Sequence, residues 1–302
     1  MLIFKTNANP TMLQKIIYRA FYATLAIVVA GLAATLFVRQ MQNLGSNLHS
    51  GFGGLYGGGG TLIIAGGGIL PDEIPERFCT LAGGARARLV VIPSYDATPV
   101  EEKAIIREWK QRRAASVDVA QSRSRDDEAS SILVSKIQNA TGVWMTGGEQ
   151  AIPANYYPGT EVESELRKLL DRGGVVGGTS AGAAIMSRIM IEEGRLEAKT
   201  RQGLDLLRGA VIDQHFMQRN RLTRLRGVLD RHPGAIGIGI DEGTALVVKV
   251  DSGRLNVIGK SYVMLWAPSE TASPHRAEFL KAGDSFDLDE LEWDNSPLEY
   301  QM

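Results

Sequence analysis

The stretch Val175-Val176-Gly177-Gly178-Thr179-Ser180-Ala181-Gly182-Ala183-Ala184-Ile185-Met186 runs from a short apolar segment, through glycines and a serine, into small helix-compatible residues. A short apolar run ending at glycine suits a buried strand, and the alanines after Ser180 suit a helix start. Gly178 and Gly182 flank Ser180 as G-x-S-x-G. A serine held on a sharp strand-to-helix turn lifts its hydroxyl above the sheet, and its neighbours two positions either side must be small. The helix start near Ala181 turns backbone N–H groups and its positive end toward a developing oxyanion. A phosphate-binding or merely close-packed glycine turn is the competing use of the same residues. Either way, strand, turn and helix in this order form one unit of an α/β fold.

The alternation continues in both directions. Short apolar runs at 61–65, 88–93, 143–146, 175–178 and 235–240 are separated by helical stretches at 100–113, 126–139 and 161–172. Continuous apolar strands between amphipathic helices predict a mostly parallel sheet with helices on both faces. After Glu242 the pattern changes to strands at 245–250, 254–259 and 262–266 joined by short turns, with Asp251-Ser252-Gly253 as a hairpin signal. These read as antiparallel strands appended to the same sheet near the C-terminus.

Composition narrows the functional classes. Of 302 residues, 44% are hydrophobic and 22% charged, the balance of a soluble globular domain. Lys plus Arg (33) nearly cancels Asp plus Glu (34), which argues against a nucleic-acid partner. The single cysteine, Cys79, allows no intrachain disulfide and reads as a small buried side chain in a helix-like segment. No zinc-ligand cluster and no H-E-x-x-H pattern occurs, so neither a metal nor a cofactor is expected. Gly66-Gly67-Gly68 lacks G-x-G-x-x-G and reads as close packing or a substrate-access loop.

Residues 20–38 carry no charge, are largely apolar and number 19, about what a helix needs to span the hydrocarbon core. Lys15 and Arg19 precede them, favouring a cytoplasmic N-terminus, and Arg39 closes the run. Half of residues 45–60 are glycine, the composition of a flexible spacer. The expected layout is a short cytoplasmic segment (1–19), a transmembrane anchor or cleaved signal (20–38), a Gly-rich linker (39–60) and one domain (61–302). On this layout the protein is membrane-anchored or secreted, with its folded domain outside the cytoplasm.

A serine nucleophile needs a base, and the chain has four histidines. His49 lies in the glycine-rich spacer and His232 precedes a proline. His215 ends the apolar run Ala210-Val211-Ile212-Asp213-Gln214, where a parallel strand delivers side chains to the crevice beyond its carboxyl end. Glu242 closes another such run, Gly237-Ile238-Gly239-Ile240-Asp241, with Asp241 as the adjacent alternative acid. The order serine, histidine, acid differs from the serine, acid, histidine of α/β-hydrolases. An esterase of that type would use His275, which stands in a polar Ala-Ser-Pro-His-Arg segment. Arg219, Arg221 and Arg224 are candidate carboxylate clamps, because guanidinium pairs with carboxylates bidentately. The stripe Leu222, Leu225, Leu229 leaves open that some of them are only the solvated face of a helix.

Three segments together resemble the cyanophycinase branch of the dipeptidase E-like serine peptidases. They are Thr146-Gly147-Gly148-Glu149-Gln150, Gly177-Gly178-Thr179-Ser180-Ala181-Gly182-Ala183, and Asp213-Gln214-His215-Phe216-Met217-Gln218-Arg219-Asn220-Arg221-Leu222-Thr223-Arg224-Leu225. The resemblance implies a class I glutamine-amidotransferase-like fold, a homodimer and hydrolysis of β-aspartyl peptide bonds without a cofactor. It implies Ser180 as nucleophile, His215 as base and Glu242 as acid, with Gly148 and Ala181 supplying oxyanion amides. It also implies that Gln150, Asp213, Gln214, Arg219, Arg221 and Arg224 line the substrate site. Thr223 stands where the family commonly has glycine, and Gly243 where asparagine is usual. A membrane-tethered binding protein without chemistry on this fold is the alternative from another functional class.

Overall fold

Thr61–Ala65 (β1), buried at every position, is the first strand of the computed structural model, which describes residues 59–232, 235–268 and 275–287. The expected anchor at 20–38, and the linker before residue 59, lie outside the described residues. Among the described residues no helix is long and apolar enough to cross a membrane.

In chain order there follow α1 (Glu73–Leu81), β2 (Arg88–Ser94), α2 (Pro99–Lys110), β3 (Ser116–Val119), α3 (Glu128–Asn139) and β4 (Gly142–Gly148). Next come α4 (Ala151–Tyr156), α5 (Glu161–Asp171), β5 (Val175–Thr179), the single turn α6 (Ala181–Ala184), and the hairpin β6 (Ile189–Glu193) and β7 (Lys199–Gln202). The chain continues as β8 (Ala210–Gln214), α7 (Leu222–Arg231), β9 (Ile236–Ile240), β10 (Thr244–Lys249) and β11 (Arg254–Gly259). It closes with β12 (Tyr262–Pro268), β13 (His275–Lys281) and β14 (Ser285–Asp287).

The main sheet has the order β14-β11-β10-β1-β5-β4-β2-β3, and its five strands from β1 to β3 are parallel. Its inner strands read as largely apolar runs because helices cover both faces, whereas the edge strand β3, Ser-Val-Asp-Val, has one buried position. Leu62, Ile64, Val90, Ile92, Val143, Met145 and Val176 face a core shared with Leu133 and Ile137 of α3 and Val162, Leu166 and Leu169 of α5. Ile63, Ala65, Val91 and Trp144 face the opposite core, where Phe78, Trp109 and Trp144 meet with ring centroids 5.1–5.4 Å apart. Gly177 makes room for that cluster, since a Cβ there would lie 2.4 Å from the Trp144 ring. Cys79 is buried in α1 beside it. Local signals agree with this frame: Thr98 caps α2 in a capping box with Glu101, and Pro99 occupies the first turn. Each fully buried leucine contributes about 1.5–3 kcal/mol, so truncating Leu166 to alanine costs roughly 2–5 kcal/mol.

One expectation needs correcting. The strand expected at 235–240 does not join the main sheet, and the one at 262–266 is not appended to it. β9 and β12 belong instead to a separate sheet, β13-β12-β9-β8, in which β8 and β9 are parallel and the other pairings antiparallel. Hydropathy does not distinguish the two arrangements, because β9 is buried at all five positions in either. Tertiary packing decides: Gly239 lies under Phe216, whose ring would be 2.6 Å from a Cβ, and Gly237 lies under Leu229. Ile212, Ile238, Ile240 and Val263 of this second sheet complete the larger core of the main sheet. Its other face packs Val211 and Met264 against Phe216, Leu225, Val228 and Leu229.

Candidate active site

The site forms where the two sheets meet. Ser180 follows β5 of the main sheet with φ 51° and ψ −110°, a conformation that costs an L-residue on the order of 1–3 kcal/mol. Its N–H donates to the Ala65 carbonyl at 3.1 Å, fixing the turn to the end of β1. The flanking glycines are sterically required. A Cβ on Gly178 would lie 2.4 Å from the Gly182 oxygen, and one on Gly182 would lie 2.2 Å from the Met145 oxygen.

His215 follows β8 of the second sheet, also at positive φ (49°), and donates its N–H to the Gly66 carbonyl at 2.7 Å. Glu242 stands on the connection from β9, in the second sheet, to β10, in the main sheet. Ser180 Oγ lies 2.9 Å from His215 Nε2, and His215 Nδ1 lies 2.5 Å from Glu242 Oε1. With the imidazole proton on Nδ1 and donated to the carboxylate, Nε2 is left to accept the serine hydroxyl. Burial pushes the His215 pKa below its ordinary 6.5, reinforced by the positive charges of Arg219 and Arg221 and opposed by Glu242. The imidazole is therefore mostly neutral at neutral pH.

Gly66-Gly67-Gly68 is the wall of this row. A Cβ on Gly67 would lie 2.4 Å from the imidazole, and one on Gly68 would lie 2.8 Å from the Glu242 side chain. The sequence signal was three glycines directly after a buried strand, but nothing local indicated what they pack against. Asp241, the alternative acid, is turned elsewhere: its carboxylate accepts the Met217 N–H at 3.0 Å and the Ser261 hydroxyl at 2.6 Å. His275 opens β13, and His232 is the C-terminal cap that follows α7. His49 lies outside the described residues.

On the opposite side of Ser180, the end of β4 comes close: a Cβ on Gly147 would lie 3.4 Å from Ser180 Cβ. Gly148 follows in that strand, and Ala181 opens α6, whose first amides have no partner within the helix. Gln150, at the start of α4, donates from Nε2 to the Ile191 carbonyl at 2.6 Å.

The arginines divide. Arg219 is exposed on the loop after His215. Arg224 lies on the buried face of α7 and holds Asp213 through two donors, Nε at 2.8 Å and Nη2 at 2.5 Å, while Nη1 reaches the Gly194 carbonyl. Arg221 bonds the carbonyl and side-chain oxygens of Gln214 and lies 3.5 Å from Asp213. Burial lowers the Arg221 pKa to about 10, and burial pushes the Asp213 carboxyl upward against the pull of both guanidinium groups. Asp213, Gln214, Arg221 and Arg224 thus form a buried polar cluster under the strand that carries His215. Leu222, read as part of the apolar stripe, is exposed, and Arg224 takes a place on the buried face.

Known proteins share this sequence pattern and fold. Peptidase family S51 matches residues 62–256. A cyanophycinase of Nostoc sp. is 34% identical over 241 residues, covering 72% of this chain and 80% of the relative. A cyanophycinase of Synechococcus elongatus is 33% identical over 237 residues, covering 74% and 71%. A solved peptidase from an acI-B1 Actinobacterium superposes with a TM-score of 0.57 at 21% identity, over 77% of this chain and 98% of that one. The fold is the glutamine-amidotransferase-like α/β arrangement.

Proposed function

The chain belongs to peptidase family S51 and is a serine-type peptidase, and from that premise we propose that it hydrolyses β-aspartyl bonds through Ser180, His215 and Glu242. The unbroken hydrogen-bonded row from the Ser180 hydroxyl to the Glu242 carboxylate carries the reading. Neutral His215 takes the Ser180 proton as Oγ attacks the carbonyl carbon, and Glu242 steadies the imidazolium that results. The tetrahedral oxyanion is held by amides at Ala181 and Gly148, each donor of this kind being worth on the order of 10²–10³ in rate. His215 then gives its proton to the departing amine, leaving an acyl-Ser180. Water, deprotonated by His215, resolves the acyl-enzyme, and Ser180 recovers its proton.

Curated relatives that are cyanophycinases support a substrate of the cyanophycin type, cut to β-aspartyl-arginine or related dipeptides. Arg219, exposed on the loop after His215, is placed to meet a substrate carboxylate, with Gln150 near the site, while the buried cluster of Asp213, Gln214, Arg221 and Arg224 supports the strand and loop that carry His215. Incubation with cyanophycin and a panel of β-aspartyl dipeptides, with products read by mass, tests this. Release of β-aspartyl-arginine supports it, and cleavage confined to α-linked peptides overturns it.

The proposal extends to a homodimer held to a membrane by residues 20–38, with the peptidase domain outside the cytoplasm, where it meets released polymer or another isoaspartyl peptide. Support for this placement is the uncharged run and the basic residues before it. Protease added outside the cytoplasmic membrane should reach the domain of the full-length protein. Full protection would refute the placement and leave the catalytic reading intact.

A further inference from the structure

We infer that Asp241 and Gln218 form a crossed latch that keeps Glu242 on the His215 imidazole, which makes both of them positioning residues. The inference rests on the triad proposed above and adds what holds it together.

The histidine loop and the acid segment are tied in both directions. From the acid segment, the Asp241 carboxylate accepts the Met217 N–H at 3.0 Å, two residues past His215. From the histidine loop, the Gln218 side-chain oxygen accepts the Glu242 N–H at 3.0 Å. Each segment thus offers a side chain to a main-chain amide of the other. A backbone bond from Phe216 N–H to the Ile240 carbonyl, at 3.1 Å, runs beside them. The contact between His215 and Glu242 closes the ring. Asp241 is buried, and its second oxygen is anchored by the Ser261 hydroxyl, so its end of the latch is rigid. Gln218 is exposed, so its end is tied only through the amide it binds.

The latch has work to do because both ends are otherwise unsteady. His215 sits at φ 49°, a conformation that persists only when its surroundings impose it. The Glu242 side chain is 36% exposed, so water competes for its oxygens. Without Gln218 the Glu242 N–H loses its acceptor, and a displacement near 1 Å at a catalytic group can cost about 10²-fold in rate.

The groups that set the charge of His215 can be named. Glu242 faces it from the acid segment, Arg219 and Arg221 from its own loop, and Asp213 from its own strand. The Gly66–Gly68 and Gly178–Gly182 segments bring no charge. Of these, Glu242 is the group that holds the imidazole pKa up, so loosening it lowers that pKa and moves the acid limb of reactivity to lower pH.

The test uses the full chain and a fluorophosphonate probe that modifies activated serines, so no substrate need be known. Gln218→Met removes the acceptor at an exposed position without threatening the core. Its Ser180 modification should be about tenfold slower at neutral pH, with the acid limb displaced downward. Asp241→Asn, which retains an acceptor for the Met217 N–H, should remain faster than Asp241→Leu at equal folded fraction. A Gln218→Met enzyme with unchanged rate and unmoved acid limb overturns the latch while the triad stands. Modification that persists in Ser180→Ala overturns the triad and the latch with it.

Discussion

The proposed nucleophile and its proposed base come from two differently built parts of the molecule. Ser180 is placed by the main parallel sheet, where short-range sterics set the geometry: a buried strand, a turn between Gly178 and Gly182, and a contact with Met145 one strand away. His215 and Glu242 come from the second sheet and the connection leaving it. There a buried ionic cluster, a glycine wall and hydrogen bonds between distant segments fix the side chains. A residue held by its immediate neighbours tolerates change elsewhere, whereas one held by long-range ties is exposed to every break in them. The difference predicts that catalysis is lost by point chemistry on the first side and by loosening on the second.

Removing either reacting side chain has the largest expected effect. Ser180→Ala and His215→Ala should both remain folded and lose about 10³-fold or more in turnover, because triad members act as a unit. Near-normal turnover in either variant breaks the pairing of the two sheets as the basis of activity. Glu242→Gln comes next: the tautomer is no longer fixed, and a loss of at least about 10² is expected. Asp241→Asn should lose less, and the reverse ranking would move the acid to Asp241.

The second sheet should also show its dependence on long-range ties as stability. Arg224→Met leaves the Asp213 carboxylate buried with its principal partner gone, which costs about 3–5 kcal/mol. Denaturant midpoints measure it, and a loss below about 1 kcal/mol would mean that the cluster does not hold this region. The smallest effect is on pH. Burial depresses the His215 pKa, and only the neutral imidazole accepts the serine proton, so activity rises with pH along an acid limb lying below pH 6.5. Arg219→Gln removes a positive charge that also lowers that pKa, so the limb should move to higher pH. A limb that stays in place, or moves down, would remove Arg219 from the electrostatics of the base.

The same division governs what could be read from the sequence. The parallel strands, the helices between them and the turn at Ser180 were legible because each is encoded within about a dozen residues. His215 and Glu242 were legible as ends of apolar runs. The sheet to which β8 and β9 belong was not, since Ile-Gly-Ile-Gly-Ile is buried in any sheet and its neighbours are chosen by Phe216 and Leu229. The burial of Arg224 was hidden for the same reason, because its partner Asp213 lies 11 residues earlier, on the preceding strand. The choice between Asp241 and Glu242 rested on hydrogen bonds to Met217 and Ser261, which adjacency in sequence does not reveal.

The most direct test of the central claim is where a fluorophosphonate adduct forms and what governs its rate. Peptide mass mapping of the labelled full-length protein should place a single adduct on Ser180. Labelling should be absent in Ser180→Ala and slowed by about 10³ in His215→Ala. An adduct on another serine, or labelling of Ser180 at an undiminished rate without His215, would contradict activation across the junction of the two sheets.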